Sequence, residues 1–240
     1  MTITPDTTVA DIAAATPATI RIFQQHNIDF CCGGKAPLAT VCRSLGLDVD
    51  SVVAELRAVD AAPASEPNWT EASLESLVTH IQSRFHGPLR AELPRLGAML
   101  DKVANRHGDS LPETIPPLQA TFERLSAELL AHMTKEDEVL FPFIVGLETG
   151  NLPPIVPAAE WIKSPIAVME ADHEEAGAAL ATIRSLTSGY APPDWACPTF
   201  RGLYYGLAEL EATMHVHVHL ENNVLFPRAV RLAGSAAMVS

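Results

Sequence analysis

The sequence predicts an all-α protein: a small helical domain at residues 1–60, a linker at 61–68 and an up-down four-helix bundle at 69–240. Three observations carry this. From Trp69 onward, four long segments (about 73–104, 117–148, 164–187 and 198–231) hold apolar residues at helical spacing. The breakers gather between them: Pro112, Pro116 and Pro117, then Gly150, Pro153, Pro154 and Pro157, then Gly189, Pro192 and Pro193. No stretch alternates apolar and polar residues as a half-buried strand would.

The first 60 residues read as short helices. Thr8–Ala15 is stopped by Thr16-Pro17, and Pro17 suits the first turn of a helix running to about His26. Two more helices follow at about 37–46 and 49–59, parted around Gly46-Leu47-Asp48. Between the pairs lies Asp29-Phe30-Cys31-Cys32-Gly33-Gly34, a backbone turn whose glycines give little cover, so its thiols are expected near the surface. Neighbouring cysteines close a disulfide only through a strained eight-membered ring, so Cys31 and Cys32 are expected as free thiols. They are soft groups suited to ligand transfer or redox work, or to holding a ligand across a dimer; Cys42 and Cys197 read as structural. The small-residue run Ala61–Pro67 marks the linker.

In the bundle, one eleven-residue pattern occurs twice, His132–Pro142 and His217–Pro227. Both copies read H-x-x-x-E-x-x-V-L-F-P. A His and a Glu four residues apart project from one helical face. The inward seam of the second segment runs Leu118, Phe122, Leu125, Leu129, His132, Glu136, Val139, Phe143, and that of the fourth runs Leu203, Leu207, Leu210, Met214, His217, Glu221, Val224. The third runs Ile166, Met169, His173, Ala176, Leu180, Ile183, and on the first His86 leads Leu89, Leu93, Leu96 and Leu100. Pro88 and Pro94 are potential kinks in the first segment. Four histidines and two glutamates thus stand where the pattern asks for leucine. Each helical hairpin supplies one lone His and one His-x-x-x-Glu pair.

A lone His on an apolar face is usually a core or boundary residue, and a lone His-x-x-x-Glu pair usually lies on an exposed face. The duplication, the shared seam phase and the two-hairpin symmetry favour a common site. Two buried carboxylates with no Lys or Arg on the seams need positive charge, and two divalent cations supply it. Glutamates bridging and histidines capping, two per metal, leave room for an outside ligand. Imidazole-rich ligation with bridging carboxylates suits iron best, with manganese and zinc as alternatives. Few carboxylates favour the ferrous state. His80 is the neighbour most suited to support the site; His215 and His219 should face away from His217.

These residues carry a family resemblance. The bundle resembles hemerythrin, and the whole chain is similar to the iron–sulfur cluster repair di-iron proteins, the RIC family. The motifs are Ile28-Asp29-Phe30-Cys31-Cys32-Gly33-Gly34-Lys35, Asp172-His173-Glu174-Glu175-Ala176-Gly177, and His217 with Leu220–Pro227. The resemblance implies a hemerythrin-like up-down four-helix bundle holding a non-haem di-iron centre, two iron ions bridged by carboxylates. His86, His132, His173 and His217 would be terminal ligands, and Glu136 and Glu221 the bridges. It also implies repair of clusters damaged by nitric oxide or oxidants, through iron donation or nitric oxide handling. Damaged iron–sulfur proteins would be partners, and nitric oxide or dioxygen small ligands. The family's near-site acids correspond to Glu128 and Asp172, the latter an Asp where relatives often have Glu. Two other functions need the same centre: a nitric oxide reductase, and a protein that binds or senses dioxygen or nitric oxide.

The net charge of −13 (16 basic against 29 acidic residues) argues against nucleic acid and against anionic membrane surfaces as partners. No apolar run approaches membrane-spanning length, and four cysteines without a secretory signal point to the cytoplasm.

Overall fold

The computed structural model describes residues 2–60, 67–152 and 158–236, and every regular element among them is helical. The single β feature there is an isolated bridge between Thr8 and Pro37. Residues 61–66 of the expected linker lie outside the described residues, as do Pro153, Pro154 and Pro157. No described helix is long and apolar enough to cross a membrane.

The chain forms two compact units: Met1–Val78 with Ile144–Ile162 and His215–Ser240, and Thr79–Phe143 with Lys163–Met214. In the first, α1 (Val9–Ala15) is capped by Thr8, whose hydroxyl accepts from the Asp11 N–H at 3.1 Å. A 3₁₀ turn at Pro17–Thr19 leads into α2 (Ile20–Gln25). Helix α3 (Leu38–Leu45) stops at Gly46, which takes the left-handed conformation (φ 68°) that a side chain disfavours. Helix α4 (Val49–Asp60) follows. Val9, Ile12, Phe23, Phe30, Leu38 and Leu56 form a fully buried core, against which Val216 also packs. Helix α5 (Leu74–Ile81) begins where the Glu148 carboxylate accepts from the N–H groups of Leu74 and Glu75, a negative charge at the positive end of a helix.

The remaining helices are α6 (Gly87–His107), α7 (Ile115–Lys135), α8 (Phe141–Thr149), α9 (Ala158–Trp161), α10 (Lys163–Leu186), α11 (Pro198–His219) and α12 (Phe226–Ala236). In the second unit, α6, α7, α10 and the Pro198–Met214 part of α11 make the bundle. Helices α6 and α7 run antiparallel, with Asp101 bonded to Gln119 at one end and His86 beside Asp137 at the other. Helix α7 packs on α10, and Arg184 of α10 bridges to Glu211 of α11 at 2.6 Å. Gly206 and Gly202 let α11 approach Leu96 and Met99 of α6, closing the ring. The four segments read from the sequence are these four helices, with one addition.

That addition is a π turn in three of them: Gln82–His86, Glu136–Leu140 and Leu220–Leu225. In each, the next N–H (Gly87, Phe141, Phe226) bonds to the carbonyl five residues back (Gln82, Glu136, Glu221). In each, a proline follows at once: Pro88, Pro142, Pro227. Proline has no N–H to give to the residue four back, and its ring crowds that carbonyl. A widened turn accommodates both. It also inserts a residue into the seam, which corrects the expected phase of the second segment. Val139 is 53% exposed and Phe143 half-buried, while Leu140, Phe141 and Ile144 take the core positions. Pro94 lies within α6, which continues through it.

Candidate metal centre

The π turns position the polar seam residues. His86 closes the first, Glu136 opens the second and Glu221 lies inside the third. His132 and His217 are in the last turns of α7 and α11, and His173 is within α10. All six side chains are buried, with relative exposures of 0–3%.

In the second unit, Glu136 Oε2 lies 3.2 Å from His132 Nε2 and 3.5 Å from His86 Nε2. The Nε2 atoms of His132 and His173 are 2.9 Å apart. In the first unit, His217 Nε2 lies 2.8 Å from Glu221 Oε1. Two groups of four among the described residues have the make-up and spacing to hold a metal ion: His86, Glu136, His217, Glu221 and His132, Glu136, His173, Glu221. Within each group the ligand atoms lie within 4.8 Å of one another. Both glutamates belong to both groups, and each histidine belongs to one.

The donors fit such an ion. Neither oxygen of the fully buried Glu136 carboxylate has a hydrogen-bond donor among the described residues. A buried carboxylate left in that condition is strongly destabilising, and cations beside it reverse the balance. Imidazole nitrogen and carboxylate oxygen together suit iron, manganese and zinc.

Two aspartates orient the imidazoles. His86 donates from Nδ1 to Asp137 at 2.9 Å, and Asp137 also accepts from Gln82 at 2.9 Å and Arg90 at 2.7 Å. His132 donates from Nδ1 to Asp172 at 3.2 Å, and Lys135 donates to the same oxygen at 3.1 Å. Burial pushes both aspartates up, but the donors and positive charge around them overcome it and hold both below the usual carboxylate range. With Nδ1 protonated toward a carboxylate, Nε2 of each ring keeps its lone pair for a metal. Asp172 was already a candidate on the sequence; Asp137 was not. The signal for Asp137 is the i, i+4, i+8 row Gln82, His86, Arg90, a donor face that requires a carboxylate opposite. His80 makes an edge-to-face ring contact with Phe85. Glu128 is exposed and, with Ala131, His132, Lys135, Asp172, His173 and Glu175 among others, lines a cavity of about 140 Å³.

The cysteine turn is built on Asp29. Its carboxylate accepts from the N–H groups of Cys31 (2.9 Å), Cys32 (3.1 Å) and Gly33 (2.8 Å) and from the Cys31 thiol (3.2 Å). This winding corrects the expectation of two surface thiols: Cys31 is buried at 6% exposure, and Cys32 is half-buried. Both are free. Hydrogen bonding to Cys32, burial and the Asp29 charge push the Cys31 thiol far up, so it stays protonated. A Cβ on Gly34 would stand 2.6 Å from the Phe30 carbonyl oxygen, so this turn requires glycine there. Asn223 donates to the carbonyls of Phe30 (3.2 Å) and Cys31 (3.1 Å), and His219 Nδ1 donates to Phe30 at 3.1 Å. Burial lowers His219 to about 4, so it is neutral. The turn therefore rests on the helix that carries His217 and Glu221.

Residues 77–229, which include all six buried ligand candidates, match the hemerythrin HHE cation-binding domain. Residues 5–60, which include Cys31 and Cys32, match a domain of unknown function, DUF542. The chain is 40% identical over 220 residues to the iron-sulfur cluster repair protein YtfE of Yersinia pseudotuberculosis serotype O:1b (strain IP 31758), covering 92% of this chain and 95% of that protein. The chain belongs to the iron–sulfur cluster repair protein family. YtfE of Yersinia pestis (strain Pestoides F) is 39% identical over the same shares. As a family member the chain carries its cation-binding domain as a helical bundle, and the His/Glu groups able to hold metal lie inside that domain.

Proposed function

We propose that this chain is a di-iron protein that repairs iron–sulfur clusters damaged by nitrosative or oxidative stress, by giving up iron, by handling nitric oxide, or both. One observation carries the reading: Glu136 and Glu221 are common to two four-residue groups that share no histidine. In this reading His86 and His217 would hold one iron, His132 and His173 would hold the other, and Glu136 and Glu221 would serve both. Bound there, the ions supply ferrous iron for transfer and coordination positions open to a diatomic ligand. Asp137 and Asp172 fix the tautomers of His86 and His132. Glu128 and Asp172 stand at the cavity beside His132 and His173 as hard oxygen donors for a passing cation.

Residues 1–60 form a separate functional domain in this reading, joined through 61–68 to the metal domain at 69–240. Cys32, the more accessible thiol, meets a client or a second copy of the chain, and Cys31 supports the turn. Damaged iron–sulfur proteins in the cytoplasm are the partners, with nitric oxide and dioxygen as small ligands. The names of the relatives and the site's donor set support this assignment.

Metal analysis and Mössbauer spectroscopy on anaerobically purified protein, before and after mixing with a cluster-damaged client, test it. Two irons per chain, in a coupled pair that declines as client cluster returns, are expected. Zinc in the site, or one mononuclear iron, overturns the reading. Catalytic nitrous oxide formation with a reductant and no loss of iron would make the chain a nitric oxide reductase instead.

A further inference from the structure

The cysteine turn and the His217–Glu221 pair belong to one compact unit, and contacts within it tie the two together. Asn223 donates to the carbonyls of Phe30 and Cys31, and it lies in the π turn Leu220–Leu225, two residues past Glu221. His219, two residues past His217, donates to the Phe30 carbonyl. The Phe30 ring is fully buried and meets the rings of His215 and His219 edge-on, with centroids 6.1 and 5.6 Å apart. Residues 30 and 31 are thus held by side chains that alternate along the chain with His217 and Glu221. In this closed form the Cys31 thiol is buried and donates to Asp29.

We infer that iron at His217 and Glu221 controls access to Cys31, with Asn223 as the residue that couples the two; this rests on the di-iron reading above. Glu221 is fully buried, with one oxygen 2.8 Å from His217 Nε2. A buried carboxylate disfavours the closed form of its helix in the metal-free chain, and a cation beside it favours that form. The π turn is a short and uncommon kind of helix, so the stretch Leu220–Leu225 opens locally when the cation leaves. Asn223 then lets go of both carbonyls, the turn built on Asp29 loosens, and Cys31 joins Cys32 within reach of solvent. The loaded chain shields the thiol and the spent chain offers it. Linkage makes the coupling reciprocal, so whatever holds Cys31 outward weakens iron at this pair by the same factor.

The test is iodoacetamide labelling of the full chain under anaerobic conditions over a range of ferrous iron concentrations. Cys31 and Cys42 are read separately by peptide mass spectrometry, and iron is counted in the same samples. Cys42, 1% exposed in the core of the same unit, reports global unfolding. In the stripped chain Cys31 is expected to label faster than Cys42. Ferrous iron at a hundred times Kd should slow Cys31 about 100-fold, the factor by which a ligand of the closed form alone suppresses the open one. Asn223→Ala should load the same iron, with an iron effect on Cys31 at least about fivefold smaller. Cys31 labelling that ignores iron in a chain that loads it, or that rises and falls with Cys42 throughout, overturns the inference while the di-iron reading stands. So does a wild-type iron effect in Asn223→Ala. The wild-type titration decides the matter even where Asn223→Ala does not fold by circular dichroism. A wild-type chain that takes up no iron overturns both the inference and the di-iron reading.

Discussion

Glu136 is the residue at which structure and metal binding are most opposed. Its carboxylate is fully buried and accepts no hydrogen bond among the described residues, so it is a cost to the metal-free protein. Glu136→Leu keeps the volume and removes the charge. The metal-free variant is expected to be more stable than metal-free wild type by about 1–4 kcal/mol, the range for buried ionic groups replaced by apolar ones. Iron content should fall below two per chain in the same variant. Thermal unfolding of the two metal-free proteins checks the first outcome and elemental analysis the second; a less stable variant would mean that Glu136 is a structural residue. Asn223 tests the other end of the site helix. Asn223→Ala leaves the carbonyls of Phe30 and Cys31 without this donor and should cost about 1–3 kcal/mol. It should also raise the alkylation rate of Cys31, which a probe of thiol exposure reads directly. The six candidate ligands were legible in the sequence because each interrupts an apolar series. Asp137 was not, because an acidic residue beside Glu136 on a polar stretch is indistinguishable from a solvated face until Gln82, His86 and Arg90 stand opposite it.

At the scale of the helix, the π turn is the unit that the repeat encodes. V-L-F-P reads as an apolar run in steps of four and three, and on that spacing Val139 faces the core. Pro142 removes a backbone donor, the turn widens, and Leu140 takes the core position instead. The two residues provide a paired test. Leu140→Ala should cost about 2–5 kcal/mol and Val139→Ala no more than about 0.5 kcal/mol, measured by denaturant unfolding. Equal costs would place the seam back in α-helical register. The four long segments themselves were readable, since a 4–3 apolar spacing kept for five turns matches the helical period and not the two-residue period of a strand. The widening was not, since it depends on which carbonyl the proline spares. The burial of Cys31 escaped for a similar reason: two glycines suggest an open turn, and only the Asp29 carboxylate, gathering three N–H groups, winds it inward.

For the molecule as a whole, metal and fold are one equilibrium. A cation that binds only the folded chain adds stability in proportion to the logarithm of its excess, about 2.7 kcal/mol per site at a hundred times Kd. Chelation of iron should therefore lower the melting temperature reversibly, with recovery on adding ferrous iron but not magnesium, whose octahedral oxygen preference the imidazoles do not meet. Calorimetry on the loaded, stripped and reloaded protein measures this, and an unchanged midpoint on stripping would separate the metal from stability. By itself the sequence determined the helices, their inward faces except beyond the widened turn at Glu136–Leu140, and the six polar residues that stand among the apolar positions, because periodicity and misplaced polarity are local properties of the chain. The tertiary structure alone decided which aspartate anchors which ring, Asp137 on His86 and Asp172 on His132. Those outcomes depend on distances between residues about 40 or more positions apart, which packing sets and no local pattern records.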